Sequence, residues 1–182
     1  MNDTERPLSP VPDDKDWTWV LHTPCPDCGF RATDFHPTDV AATLRANTER
    51  WIDVLGGDGV RTRPAPAVWS PLEYACHVRD VHRLYLERLE LMLRHDGPRY
   101  PNWDQDQTAI EQRYHESDPA VVAEELHAAA MALADRFDLV EGDQWERTGV
   151  RSDGAEFTVA SFAMYFIHDP IHHLHDVGVE IA

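Results

Sequence analysis

The stretch from Ser70 to Pro98 constrains the fold most. Ser70-Pro71-Leu72-Glu73 places a hydroxyl at a helix cap, a proline at the first helical position and a Glu three residues after the cap. Such a serine cap is worth about 1 kcal/mol. Tyr74, Val78, Val81, Leu84, Tyr85, Leu89 and Met92 then follow helical spacing, and His95-Asp96-Gly97-Pro98 ends the run with a basic last turn, a Gly and a Pro. A long amphipathic helix is therefore expected here, and its stripe needs other helices to cover it.

Three further segments supply those helices. One starts near Pro37-Thr38 and runs to Leu55, with Val40, Leu44, Trp51 and Leu55 on its stripe. Another starts at Asp118-Pro119 and runs through Val122, Leu126, Ala130, Leu133 and Phe137 to about Val140; its Ala-rich middle favours close approach to a neighbour. The last starts near Thr158 and carries Phe162, Tyr165, Phe166 and Ile167 into a His-rich end. The expected fold is all-α, a four-helix bundle over residues 35–182. Residues 1–34 read as an N-terminal arm and a C-x-x-C loop, with Trp17-Thr18-Trp19-Val20-Leu21 as a short strand or extended clamp. In the long linker from Tyr100 to Ser117, residues 105–114 suggest a short helix, and Trp145 to Phe157 reads as a small hairpin or turn.

Charge excludes some partners. With 33 acidic and 16 basic residues the formal charge is −17, which repels phosphate backbones and anionic membranes alike. No nucleic-acid or membrane partner is expected. No apolar run reaches transmembrane length, and residues 1–7 lack the apolar core of a leader, so the cytoplasm is the expected compartment. Three cysteines, Cys25, Cys28 and Cys76, argue against a secreted disulfide framework.

Four of the eleven histidines lie within eight residues, in His168-Asp169-Pro170-Ile171-His172-His173-Leu174-His175. At 100° per residue His168, His172 and His175 share one face, while Asp169, His173 and Asp176 point roughly the other way. Imidazoles four residues apart can converge on one ion. Pro170 complicates the spacing: the helix kinks there, or a new helix begins with Asp169 as its cap. A kink brings either His172 or His173 within reach of the ion, whereas a full break weakens the spacing argument. His77, on the stripe of the capped helix, is the best third ligand, with His82 as a competitor set away from that stripe.

The phrase Val68-Trp69-Ser70-Pro71-Leu72-Glu73-Tyr74-Ala75-Cys76-His77, followed about ninety residues later by His168-Asp169-Pro170-Ile171-His172, resembles the DinB-like metalloenzyme superfamily over roughly residues 35–180. That group includes mycothiol-dependent maleylpyruvate isomerases and bacillithiol transferases. The resemblance implies an up-down-down-up bundle and a metal triad of His77, His168 and His172. It also implies zinc or nickel, with mycothiol as a possible cosubstrate, a thiol suited to the Arg-rich, Lys-poor composition of an actinobacterial host. The chain ends without the further domain of the maleylpyruvate isomerases, which sets that reaction apart. The activity implied is thiol S-transfer or isomerisation, acting on a small-molecule thiol and an electrophile. A non-catalytic metal or ligand binder and a metal-dependent hydrolase are the alternatives. Such bundles often pair, which makes a homodimer a modest expectation.

Other residues have supporting roles in this reading. Asp80, Asp169 and Asp176 are candidates to accept the second ring N–H of a ligating His. Tyr165 is placed to face the pocket, and Arg79, Arg83 and Arg113 are candidates to bind a carboxylate. Trp103-Asp104-Gln105-Asp106 reads either as a pocket cap or as polar linker. Cys25-Pro26-Asp27-Cys28 is half of a structural zinc site, for which His22 or His36 would be partners; a plain loop, a reversible disulfide and a redox role are the other readings. Cys76 reads as a packing residue.

Overall fold

The computed structural model describes residues 16–179, so most of the acidic, Pro-rich arm lies outside the described residues. The helices are α1 (Val40–Leu55), α2 (Pro71–Arg94), α3 (Gln105–Glu111), α4 (Pro119–Asp138) and α5 (Val159–Asp176). α4 and α5 each pack against both α1 and α2. This is the four-helix bundle expected, with α3 as the short helix in the α2–α4 linker. No described helix is long and apolar enough to cross a membrane.

The capping signals act as written. Ser70 Oγ accepts from the Glu73 N–H, and the Glu73 carboxylate accepts from the Ser70 N–H at 2.9 Å. Asp118 accepts from the N–H groups of Ala120 and Val121, and Thr158 caps α5. These caps set where the helices begin. Packing holds them: Leu44, Leu89, Leu133, Phe166 and Ile167 are fully buried in one core cluster, and Trp51, Leu72, Tyr114 and Leu126 in a second. Truncating any one of the large members costs about 2–5 kcal/mol, several times the worth of a cap. Ala130 and Ala134 are buried where α4 meets its neighbours, which is the use of the Ala-rich middle.

Two local expectations change. Trp17–Leu21 is a 3-10 turn, not an extended segment, because Asp16 accepts the Thr18 N–H and starts a helical turn. Pro170 neither breaks nor restarts the last helix. α5 runs unbroken across it, and the Pro170 carbonyl accepts from Asn47 and Trp51, both buried on α1, at 3.3 Å each. Two donors from a packed neighbour hold α5 at the point where its own ladder loses a bond.

The expected hairpin is present as β2 (Thr148–Arg151) and antiparallel β3 (Glu156–Thr158). Its outer neighbour β1 (Arg99–Tyr100) pairs parallel to β2 and has no sequence signal, since two residues carry no period. Gly149 is required by crowding: a Cβ there would lie 2.8 Å from Met92 Cγ and 2.9 Å from Tyr100 Cε1. The sheet brings Tyr100 and Arg151 to one end of the bundle.

At the start of α2 the Arg63 guanidinium holds both oxygens of buried Glu73, at 2.9 and 2.5 Å. Burial works to raise the Glu73 pKa, but Arg63 and the Ser70 cap overcome it and hold the carboxyl below its ordinary 4.5. A depressed carboxylate contributes stability above the ordinary pKa and loses it as pH falls through the folded value. Arg63→Ala is therefore expected to cost about 3 kcal/mol near neutral pH. Urea unfolding of both proteins checks this, and the gap should narrow as pH drops below 4.5.

Candidate metal centre

The rotation of α5 sorts its histidines into two groups. His168 and His172 face the N-terminal segment, where Trp17 lies 5.7 and 5.1 Å from their rings and Phe30 lies 5.4 Å from His168. Asp169 and His173, about 100° further round the helix, face α2, where His77 and His173 meet edge-on at 4.9 Å. Potential ligand atoms of His77, Asp169 and His173 lie within 4.8 Å of one another; those of Cys25, Cys28, His168 and His172 form a separate set. The structure thus brings His77 together with Asp169 and His173, and does not bring it together with His168 and His172. Of the triad implied by the resemblance, His168 and His172 sit with the cysteines, and the α5 side chains gathered at His77 are Asp169 and His173.

In the set around α2, His77 is fully buried between Trp69 and Trp103, its ring stacked on the Trp103 indole at 5.4 Å. Its Nε2 faces the Asp169 carboxylate at 3.4 Å. Burial works to raise the Asp169 pKa, yet the His77 and His173 imidazoles beside it hold it well below the carboxylate range. Asp169 Oδ1 is buried with no hydrogen-bond partner among the described residues. Asp176 sits 2.7 Å from His173 Nδ1. With Nδ1–H donating there, the Nε2 lone pair of His173 turns towards Asp169, 3.9 Å away. Two imidazole nitrogens and one carboxylate, with a buried oxygen lacking a partner, fit a divalent ion with open positions.

Asp169 and His173 line a cavity of about 770 Å³, within the size range of small-molecule sites. Trp103 and residues 104–107 form one wall, so the linker does cap the pocket. Tyr165 also lines it and accepts from Arg151 at 3.1 Å; burial raises its pKa, so the phenol stays protonated.

The cationic side of the cavity is Arg88 and Arg151. Arg88 is buried over the Tyr100 ring at 4.9 Å and donates to the Pro101 carbonyl; burial lowers its pKa, and no carboxylate pairs with it among the described residues. Burial also works to lower the Arg151 pKa, but Asp153 at 2.8 Å outweighs it and holds the guanidinium charged. Sequence spacing missed both arginines, because a β-strand and the far end of α2 supply them. The arginines singled out from sequence lie elsewhere: Arg79 and Arg83 pair with Asp80 and Glu125, and Arg113 pairs with Glu116. Asp80 is engaged by Arg79, Arg83 and the Tyr114 hydroxyl. His82 is buried against Phe166, and burial pushes its pKa down to about 4.

In the set with the cysteines, Cys25 is buried and its Sγ lies 3.5 Å from His172 Nδ1. Burial, with the Cys25 thiol beside it, pushes Cys28 up to about 12, and burial with His172 alongside pushes His168 down to about 4. The cysteines are free thiols. His22 and His36, the partners considered from sequence, are not in this group.

The comparisons agree with this architecture. The family model of the DinB superfamily matches residues 9–177; the chain belongs to that superfamily. Among solved structures it is similar to YfiT from Bacillus subtilis, described as a probable metal-dependent hydrolase with an unusual four-helix bundle topology. The likeness has 17% identity and a TM-score of 0.64, over 76% of this chain and 81% of that one. No curated protein sequence matches the chain.

Asp176→Ala removes the acceptor that orients His173. It is expected to weaken metal binding at the His77 group by about 10- to 100-fold, measured by competition with a chromophoric chelator.

Proposed function

We propose that the chain is a metal-dependent enzyme whose ion is held by His77, Asp169 and His173, and that the nucleophile it activates is a low-molecular-weight thiol. The observation that carries the proposal is a three-residue donor set, His77 buried and Asp169 and His173 half-buried, of which the last two line a large cavity. When bound, the ion supplies a lowered pKa for a coordinated thiol or water.

The chain's own residues do the rest. Asp176 holds the His173 tautomer, and Trp69 and Trp103 keep water from His77. Arg88 and Arg151 bind an anionic group of the thiol or its electrophile. Tyr165 presents a protonated phenol at the cavity wall, able to stabilise charge that develops on a leaving group.

Hydrolysis by activated water is the second reading. It is favoured by the carboxylate in the donor set and by the likeness to YfiT.

Zinc- or nickel-loaded protein incubated with mycothiol and a maleimide-type or epoxide electrophile should consume thiol faster than metal-free protein, and His77→Ala should abolish the difference. Arg88→Met should cut kcat/KM by about 10- to 100-fold, the worth of a hydrogen bond to a charged group. Turnover of an ester panel without thiol consumption would replace the transferase with the hydrolase. Stoichiometric metal in His77→Ala would sink the donor set itself.

A further inference from the structure

We propose that Cys25, Cys28, His168 and His172 form a second, structural zinc site that staples the N-terminal segment to α5. It is separate from the metal centre of the proposed function and stands or falls independently of it.

The donor set is the first argument. Two thiols and two imidazoles are the complete shell of a structural zinc ion, with no position left for substrate. Their potential ligand atoms all lie within 4.8 Å of one another. For bonds of about 2.3 Å to sulfur and 2.0–2.1 Å to nitrogen, a tetrahedral S–N edge is roughly 3.5 Å. The Cys25 Sγ to His172 Nδ1 separation is 3.5 Å.

The loop is the second argument. Cys25-Pro26-Asp27-Cys28-Gly29 is a closed turn: Gly29 donates to the Cys25 carbonyl at 3.0 Å and Cys25 donates to the Phe30 carbonyl at 2.9 Å. Gly29 has φ +75°, a conformation only Gly adopts without strain. The turn aims the Phe30 N–H at Cys28 Sγ, the kind of donor that stabilises a metal thiolate.

The partners on α5 are the third. His168 is 4% exposed, and its Nε2 is buried with no hydrogen-bond partner among the described residues. The far nitrogen of His172, Nε2, faces Asp176 at 3.8 Å. An ion in this set would take up His168 Nε2, and His172 Nδ1 has its contact with the Cys25 thiol.

A Cys25–His172 nucleophile pair is the rival use. It would need a sulfur that substrate can reach, but Cys25 is 1% exposed and is not among the residues lining the cavity. It would also leave Cys28 and His168 without a part.

The test is metal analysis of full-length protein purified under reducing conditions, with cobalt replacing zinc for spectroscopy. The wild type should hold two equivalents, and cobalt-loaded protein should show sulfur-to-metal charge transfer and intense tetrahedral d–d bands. Cys25→Ser/Cys28→Ser should lose one equivalent and the charge-transfer band. His77→Ala should lose the other equivalent and keep the band. Should the cysteine variant fail to fold, zinc X-ray absorption of the wild type decides, with sulfur scatterers at about 2.3 Å expected. Wild type without sulfur at the metal, a band that survives in the cysteine variant, or a native Cys25–Cys28 disulfide would each overturn the site.

Discussion

The rotational setting of α5 governs the chemistry of this chain. Six residues, His168 to His173, present two donor faces about 100° apart, and a small turn of the helix would exchange their partners. Three contacts hold the setting. The α5 core residues Phe162, Phe166 and Ile167 are buried among α1, α2 and α4. Asn47 and Trp51 bind the Pro170 carbonyl from α1. Trp17 and Phe30 pack on His168 from the N-terminal side. Proline, often a helix breaker, is here a point of attachment.

Asp176 links the two donor sets. One oxygen lies 2.7 Å from His173 and the other 3.8 Å from His172. Only the His173 contact is a hydrogen bond.

Much of the architecture was legible because local signals and the hydrophobic stripe agree. The Ser70 capping box, the Asp118-Pro119 start and the Thr158 cap each act on groups within three residues of themselves, so they can be read without knowing the fold. His77 was legible for the same reason, lying two turns into a helix whose start is unambiguous. The donors on α5 were harder. Spacing of four residues fits His168 with His172 and Asp169 with His173 equally well. Arg88 and Arg151 were not legible, since the cavity that gives them meaning is assembled from α2, α5, the 102–107 linker and a short strand far apart in the chain.

The sequence by itself determined the helices, their starts, the presence of a metal-competent face on the last one and a C-x-x-C turn ahead of the bundle. These follow from hydrogen bonding and periodicity over a few residues. Only the tertiary structure decided which face of α5 meets His77 and which meets the cysteines. That pairing depends on how α5 is rotated against α1 and α2, and the rotation is set by packing among residues as much as 123 positions apart, such as Asn47 and Pro170.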